Sequence, residues 1–434
     1  MYGMMCVVYT TGLWLLLASY LEVPVSTTQS TVGGIVGMAM SYGGSDCVVW
    51  NKKKDTFPFV DGISGIVSSW IISPVLSGIL SLVIFLSVRT FVLRSASAHK
   101  RSFWVYPILV LATISVNVFF IVYKGASGLN MDDTKLSTAF IWAFGLGGGC
   151  AVLTVFTVVP WMKKNVARKF NEDCTLKAKR HTYTMTERQS ATQMHRALIG
   201  PIFLFFRHPS ENGSTGLCSY LSRTLDQDLQ ASVKDSEYVS QIHNQAEKFD
   251  PRAEEVFKYI QVLTAICDSF GHGANDVANA MGPFAAIYTI YVDGEVKEDS
   301  ELGKDAFWIL AIGGVGIVIG LMTYGYKIMA AIGVKIAKIT PSRGFSIELG
   351  AAIMIIIGSR LSMPLSTTHC QVGATAAVAL LEGSGGLNGV VIMKTVAGWI
   401  VTLVVCGLSC ALIFSQGAYA PYAHDTIEID KDAG

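Results

Sequence analysis

Residues Gly271–Pro283 read GHGANDVANAMGP and lie within a strongly apolar part of the chain. Asn275, Asp276 and Asn279 put three polar side chains into a segment otherwise fit for a bilayer. Polar and ionisable groups at membrane depth are expensive, so by default they face a partner or a pathway. Gly271 and Gly273 stand just ahead of them. That placement predicts a helix that breaks there and leaves backbone N–H groups free for a ligand.

The surrounding composition agrees with a membrane setting. The chain is 51% hydrophobic and 15% charged, against the ~25% charge that ordinary soluble chains carry. Apolar runs at Ile66–Leu93, Trp104–Tyr123, Thr138–Trp161, Ala306–Tyr324 and Val390–Phe414 each reach about the 20 residues that span a bilayer core. Shorter runs at Cys6–Tyr20, Val32–Met40, Val256–Phe270, Val277–Tyr291, Phe345–Ile357 and Val372–Leu381 contain small or polar residues and read as interior helices, some half-length. The expected fold is an all-α polytopic membrane protein with about 9–11 membrane segments. A net charge of +1 gives no basic field for nucleic acid. The nine cysteines show no metal-finger spacing, and Cys406 and Cys410, one helical turn apart, read as packing. The first apolar stretch lacks a basic leader and a small-residue cleavage site, so it reads as a membrane helix.

Loop charge sets an expected topology. Arg89, Arg94, His99, Lys100 and Arg101 cluster between two spans, which places that connection in the cytoplasm. Lys124–Lys135 and the acidic Asp293–Asp305 then fall outside, and the basic Lys327–Arg343 inside. Lys52–Lys54 conflicts with this count. The chain divides into a first transmembrane part over 1–162, a hydrophilic, largely disordered cytoplasmic loop over 163–255, and a second transmembrane part over 256–434. The loop has ten Lys/Arg against three Asp/Glu from Lys163 to Arg207, then four against nine from His208 to Glu255. Ser232–Glu255 is helix-permissive without a clean apolar stripe, and the loop is read chiefly as a linker. Asn212-Gly213-Ser214 matches a glycosylation pattern but faces the wrong side on this topology.

A repeat runs through the chain. Pro24, Ser26, Thr27, Thr28, Val32 and Gly33 align with Pro364, Ser366, Thr367, Thr368, Val372 and Gly373 at an offset of 340. Trp70, Gly78 and Phe85 match Trp399, Gly407 and Phe414 at an offset of 329. Secondary transporters are commonly built from such duplicated halves with a site between them. Each Ser-Thr-Thr follows a proline and favours a helix start, where free N–H groups, hydroxyl donors and the positive helix end converge. Such an end binds an anion without lysine or arginine.

The carboxylate of Asp276 complements that chemistry. Phosphate keeps a P–OH at neutral pH that a carboxylate accepts from, whereas sulfate has none and is repelled. Asp276 equally suits a coupling cation, and Asn279, one turn on, helps either role. Glu348, at the start of an apolar stretch, reads as a relay for an ion or proton, or as an interfacial acid favoured by a helix dipole. Asp268 is a weaker cation candidate. Glu22 reads as an interfacial acid, and His272 and His369 as packed residues before proton carriers. Arg360 either snorkels to an edge or adds charge near the site.

The segments GHGANDVANAMGP, TPSRGFSIELG and PLSTTHCQVGA, with PVSTTQ near the amino terminus, resemble the inorganic phosphate transporter family (PiT). The resemblance implies an inverted-repeat helical transporter with broken or re-entrant helices, in which Na⁺ or H⁺ drives phosphate uptake. It implies a phosphate site of Asn275, Asp276, Asn279, Ser366, Thr367, Thr368, Ser26, Thr27 and Thr28. Asp276, Glu348 and Asp268 would serve the coupling cation or proton. No bound cofactor and no catalytic residue are implied, and lipid is the surrounding partner. A homo-oligomer is compatible with this reading, and a plasma-membrane location is preferred. Gln29 stands where the family has His, and Arg360 where it has a neutral residue.

The family carries GANDVAN twice, and here it occurs once. The repeat offset places the counterpart of Asp276 well before Met1. The chain is therefore expected to be an incomplete product that transports poorly alone. A non-transporting phosphate sensor, a carrier of another tetrahedral oxyanion and, most remotely, a membrane hydrolase using Asp276, His272 and Ser366 stay open as alternatives.

Overall fold

Two proline-led turns organise the molecule. In the computed structural model, which describes residues 1–55, 59–123, 134–180, 236–296, 306–361 and 363–419, helix α1 (Tyr2–Tyr20) closes at Leu21 and α2 (Thr27–Gly43) starts from Ser26. Far along the chain α10 (Pro341–Arg360) closes at Leu361 and α11 (Thr367–Leu380) starts from Ser366. The backbone repeats almost angle for angle: Leu21 has φ −80°, ψ 2° and Leu361 φ −85°, ψ 7°, while Ser26 has φ −100°, ψ 128° and Ser366 φ −99°, ψ 114°. Each serine accepts from the N–H three residues on, Gln29 or His369, at 3.3 Å. A proline cannot continue the preceding helix, and a serine cap satisfies an orphan donor of the next one.

The remaining helices are α3 (Gly62–Val88, extended by one wide turn over Arg89–Leu93), α4 (Ala98–Val122), α5 (Leu136–Phe156), α6 (Val158–Arg180), α7 (Glu237–Gln245), α8 (Pro251–Asp293), α9 (Phe307–Gly333) and α12 (Gly389–Ala418). A two-residue antiparallel pair, β1 (Lys52–Lys53) with β2 (Val60–Asp61), sits in the α2–α3 connection with Lys52 opposite Asp61. Among the described residues seven helices are long and apolar enough to cross a membrane: α1, α3, α4, α5, α9, α10 and α12. Half-length α2 and α11 and the longer, more polar α8 complete an all-α, multi-pass membrane fold.

The halves exchange partners. Helix α2 packs along α12 and α11 along α3, so each Ser-Thr-Thr helix lies on a helix of the other repeat. The crossings are matched. A Cβ on Gly78 would stand 3.1 Å from the Gly373 carbonyl oxygen, and one on Gly407 would stand 3.3 Å from that of Gly33. Ser77 donates to the Cys370 carbonyl at 2.7 Å, and Cys406 faces Ser30 at the equivalent point. The α3 face at this crossing is the buried stripe Ser69, Ser73, Ser77 and Ser81. Its counterparts on α12 are Gly398, Thr402, Cys406 and Cys410. Small residues at i, i+4 spacing let helix backbones approach where no hydrophobic force separates lipid from protein. Cys406 and Cys410 are packed here, fully buried, as their spacing suggests.

The largest apolar cluster joins α3, α4, α6, α8, α10 and α11 through Phe85, Phe103, Phe257, Ile260, Phe345 and Leu365, among others. A smaller cluster of Cys6, Val7, Cys410 and Phe414 fastens α1 to α12.

Four local expectations change. The break at Gly271 and Gly273 does not occur: α8 runs unbroken for 43 residues through both glycines and through Pro283. Nothing lies within 4 Å of a Cβ at either glycine, so no neighbour forces the helix open, and a helical glycine costs only about 1 kcal/mol. The separate runs Val256–Phe270 and Val277–Tyr291 are parts of that one helix. The single run Thr138–Trp161 divides at Thr157 into α5 and α6. The 162/163 and 255/256 boundaries fall inside α6 and α8. Most of Lys124–Lys135, Asn212, most of the central hydrophilic stretch and the end of Asp293–Asp305 lie outside the described residues.

Candidate functional site

On α8 the polar residues Asp268, His272 and Asp276 form one row and His272, Asn275 and Asn279 a second, at spacings of three or four, and all share one face. That face meets the two proline-led turns. Asp276 accepts from Thr367 Oγ1 through both carboxylate oxygens, at 3.2 and 3.1 Å. Asn279 Nδ2 donates to Thr28 Oγ1 at 3.0 Å, and Thr31 Oγ1 donates to the Asn279 carbonyl at 3.4 Å. One asparagine thus reaches the first repeat while the neighbouring aspartate reaches the second.

The turns also bind each other, reciprocally. Thr28 Oγ1 donates to the Leu365 carbonyl at 3.0 Å, and Thr368 Oγ1 donates to the Val25 carbonyl at 3.3 Å. Both residues of the second bond lie 340 positions from those of the first. At the centre Ser366 Oγ donates to Ser26 Oγ at 2.8 Å, with both serines fully enclosed. A pseudo-twofold axis therefore passes between Ser26 and Ser366. Two helix N-termini, each with free N–H groups and a partial positive charge, open toward it. Trp399 Nε1 donates to the Pro24 carbonyl at 3.2 Å, and Ser69 Oγ to that of Pro364 at 2.8 Å, anchoring each proline to the opposite repeat.

The sequence-predicted residues separate into two groups. Asn275, Asp276, Asn279, Ser26, Thr27, Thr28, Ser366, Thr367 and Thr368 gather at the axis. Within this group the serine hydroxyls cap and cross-link, whereas Thr27, the counterpart of Thr367, makes no side-chain hydrogen bond among the described residues. Asn275 Nδ2 is enclosed without a partner. Glu348 stands elsewhere: it accepts from Thr264 Oγ1 at 2.6 Å and from Gln261 Nε2 at 3.3 Å. Thr264 precedes Asp276 by three helical turns, which is about 18 Å along α8. Asp268, one turn on from Thr264, is buried and lies 3.2 Å from His272 Nε2, without hydrogen-bond alignment. The acids thus form a second level toward the start of α8.

His369 packs as expected. Its Nδ1 is 3.0 Å from the Trp70 carbonyl and its ring lies 3.6 Å from that of Trp399. Glu22 is exposed and pairs with Lys335 at 2.8 Å. Arg360 is the last residue of α10. Sequence reasoning missed Gln261 and Thr264, the partners of Glu348. Their i, i+3 spacing on the face that continues to Asp268 is the signal that could have found them.

Comparison with known proteins gives the family. A family model described as "Phosphate transporter family" matches residues 1–410. The phosphate-repressible phosphate permease of Neurospora crassa is 28% identical, over 94% of this chain and 82% of its own. Sodium-dependent phosphate transporter 1 of Mus musculus is 24% identical, over 96% of this chain and 84% of its own. A solved structure, "The sodium-dependent phosphate transporter", superposes with TM-score 0.66 at 27% identity, covering 97% of this chain and 80% of that one. This family transports rather than catalyses, which removes the hydrolase alternative. Given the exchanged repeats, the paired Ser-Thr-Thr helix starts and a match over nearly its whole length, this chain belongs to the phosphate transporter family.

Proposed function

We propose that this protein performs cation-coupled symport of inorganic phosphate, with the anion held on the pseudo-twofold axis. The observation that carries the reading is the meeting of two serine-capped helix N-termini beside Asp276 and Asn279. Backbone N–H groups of α2 and α11 and the hydroxyl of Thr27 donate to the phosphate oxygens, and the Thr367 hydroxyl turns from Asp276 to the anion as the carboxylate takes up the P–OH bond. Asn275 offers its unpartnered Nδ2. Asp276 accepts the P–OH proton, which selects a protonated oxyanion over sulfate. Ser26 and Ser366 hold the two ends in register, and Thr28 and Thr368 tie each to the other. Asp268 and Glu348 serve the coupling cation, Na⁺ or H⁺, at the second level.

The loop charges support a cytoplasmic position for the end of the bundle where α6 ends and α8 begins, and the plasma membrane as the location. Sodium-dependent relatives favour Na⁺ as the coupling ion.

The test is binding of radiolabelled phosphate to the purified protein, with uptake by proteoliposomes measured in parallel. Asp276→Asn keeps the side-chain shape and removes the charge. Phosphate should bind about tenfold more weakly, the loss of one charge-assisted hydrogen bond, and sulfate should begin to compete. Unchanged affinity with sulfate still excluded would remove Asp276 from the anion site. Binding without flux would make the protein a sensor rather than a carrier.

A further inference from the structure

The segment between α7 and α8 crosses the end of the bundle and touches both repeats. Glu247, at its middle, accepts from Arg89 Nε at 2.8 Å and also pairs with Arg89 Nη2. It accepts from Arg94 through Nε at 2.9 Å and Nη2 at 3.0 Å. Arg89 and Arg94 stand at the end of α3, in the first repeat. The same residue's backbone reaches the second repeat: its N–H donates to Glu382 Oε2 at 2.7 Å, and its carbonyl accepts from Arg343 Nη2 at 2.9 Å.

Beneath it lies a buried ion pair. Arg343 bonds Glu382 at 2.6 Å, with side chains only 2% and 5% exposed. Phe85 of α3 and Phe249 of the crossing segment each lie under the Arg343 guanidinium, at 5.6 and 5.2 Å. Upstream, α7 buries Val239 and Ile242, His243 Nε2 is 3.0 Å from the Val334 carbonyl, and Lys338 donates to the His243 carbonyl at 3.2 Å. None of these groups touches the anion site. Yet the receiving helices lead toward it: α11 runs from Thr367 to just before Glu382, α10 from near Arg343 past Glu348 to the turn before Ser366, and α3 from the level of Ser69, which bonds the Pro364 carbonyl, to Arg89.

We infer that the segment from Ser236 to Asp250 is a strap that closes this end of the transporter, with Glu247 as its clasp across the ends of α3, α10 and α11. Alternating access moves one repeat against the other around a fixed site. Bonds that tie a strap across one end must therefore break before that end opens. A buried ion pair such as Arg343–Glu382 adds little net stability because desolvation offsets its attraction. It stays whole within the second repeat and offers the strap backbone a fixed seat there, so the bonds that are made or parted are those of Glu247. The small cavity lined by Thr375, Lys338, Arg343 and Glu382 lies under the strap and becomes accessible when the strap lifts. The latch regulates the site proposed above and rests on that reading only for what passes through once it opens.

The test is thiol accessibility on the full chain in proteoliposomes. Thr375→Cys places a near-isosteric thiol at a fully buried position on α11. A membrane-impermeant methanethiosulfonate is added from either side, and modification is read on the α11 peptide by mass spectrometry. Glu247→Gln should raise the labelling rate from the strap side roughly tenfold, the effect of losing a charge-assisted clasp on a local opening. Lys100→Gln, an exposed charge elsewhere, should leave the rate unchanged. Should Glu247→Gln fail to fold by thermal melt, Arg94→Gln removes only the more exposed arm and should raise the rate about twofold. Labelling equal to that of the parent in the folded variant overturns the latch. The readout needs no phosphate, so failure of the anion site and failure of the latch are seen separately.

Discussion

Replacing Gly373 by alanine tests the exchanged packing directly. A Cβ at Gly373 would come within 2.6 Å of Pro74 Cα and 2.7 Å of Pro74 C, on the backbone of α3. Ordinary carbon contacts stand at about 3.5 Å or more, so α11 and α3 must part by about 1 Å. Backbone cannot swing aside as the end of a flexible side chain can. Two hydrogen bonds cross this interface, Ser77 to the Cys370 carbonyl at 2.7 Å and Ser69 to the Pro364 carbonyl at 2.8 Å. A shift of that size carries both past useful length. Each is worth about 0.6–1 kcal/mol, and the overpacking itself costs about 1–3 kcal/mol. Gly373→Ala should therefore destabilise the protein by about 2–5 kcal/mol. Gly37→Ala, which meets the Gly407 backbone, should behave alike, since a Cβ there comes within 2.7 Å of Gly407 Cα. Gly314→Ala, with nothing within 4 Å, is the control and should be neutral or slightly stabilising. The assay is thermal unfolding of the detergent-solubilised protein, followed by loss of the monodisperse chromatographic peak. A Gly373→Ala protein that melts with the Gly314→Ala control would refute the close backbone crossing.

Two further predictions concern the second level and the strap. Glu348→Gln keeps an acceptor for Thr264 and Gln261, so the fold should survive. Uptake should lose most of its dependence on Na⁺ or on pH, while phosphate affinity shifts less than about threefold, because the carboxylate lies about 18 Å along α8 from Asp276. Unaltered cation dependence would dismiss Glu348 from coupling. The Glu247 carboxyl is held below its ordinary value of 4.5 by Arg94 and then Arg89, against desolvation. A depressed carboxyl contributes stability above its unfolded pKa and loses it only as pH falls through the lower folded value. The latch should thus stay closed from about pH 5.5 to 8, well above the carboxylate range. Thr375→Cys labelling that rises within that window would contradict it.

The sequence was legible where chemistry is local. The Pro-x-Ser-Thr-Thr turns declare two helix starts because a proline, a cap and two hydroxyls fit within five residues, and the repeat offset then pairs them. What it hid depends on distant partners. Gly271 and Gly273 look like a break, but whether a glycine breaks a helix is decided by what packs against it, and a Cβ at either would meet nothing within 4 Å. The exchange of α2 onto α12 and α11 onto α3 needs three-dimensional topology, although Ser69, Ser73, Ser77 and Ser81 hinted at a close crossing. Glu247 was invisible because a loop acid among polar residues shows nothing of the four charged groups around it. Glu348 was singled out as an acid at the start of an apolar stretch and by the family resemblance. Its separation from Asp276 became clear only when both were placed along one helix.

The contact between Ser26 and Ser366 has a consequence of its own. Two hydroxyls on a twofold axis carry two protons, but only one proton fits between the oxygens. The other must point away, so the pair cannot be symmetric even where the backbone is. With Ser366 donating to Ser26 at 2.8 Å, the outward proton belongs to Ser26, and reversing the bond hands it to Ser366. The hydrogen bond at the axis therefore gives the two matched helix starts unequal donors, with the free hydroxyl proton on the side of the first repeat.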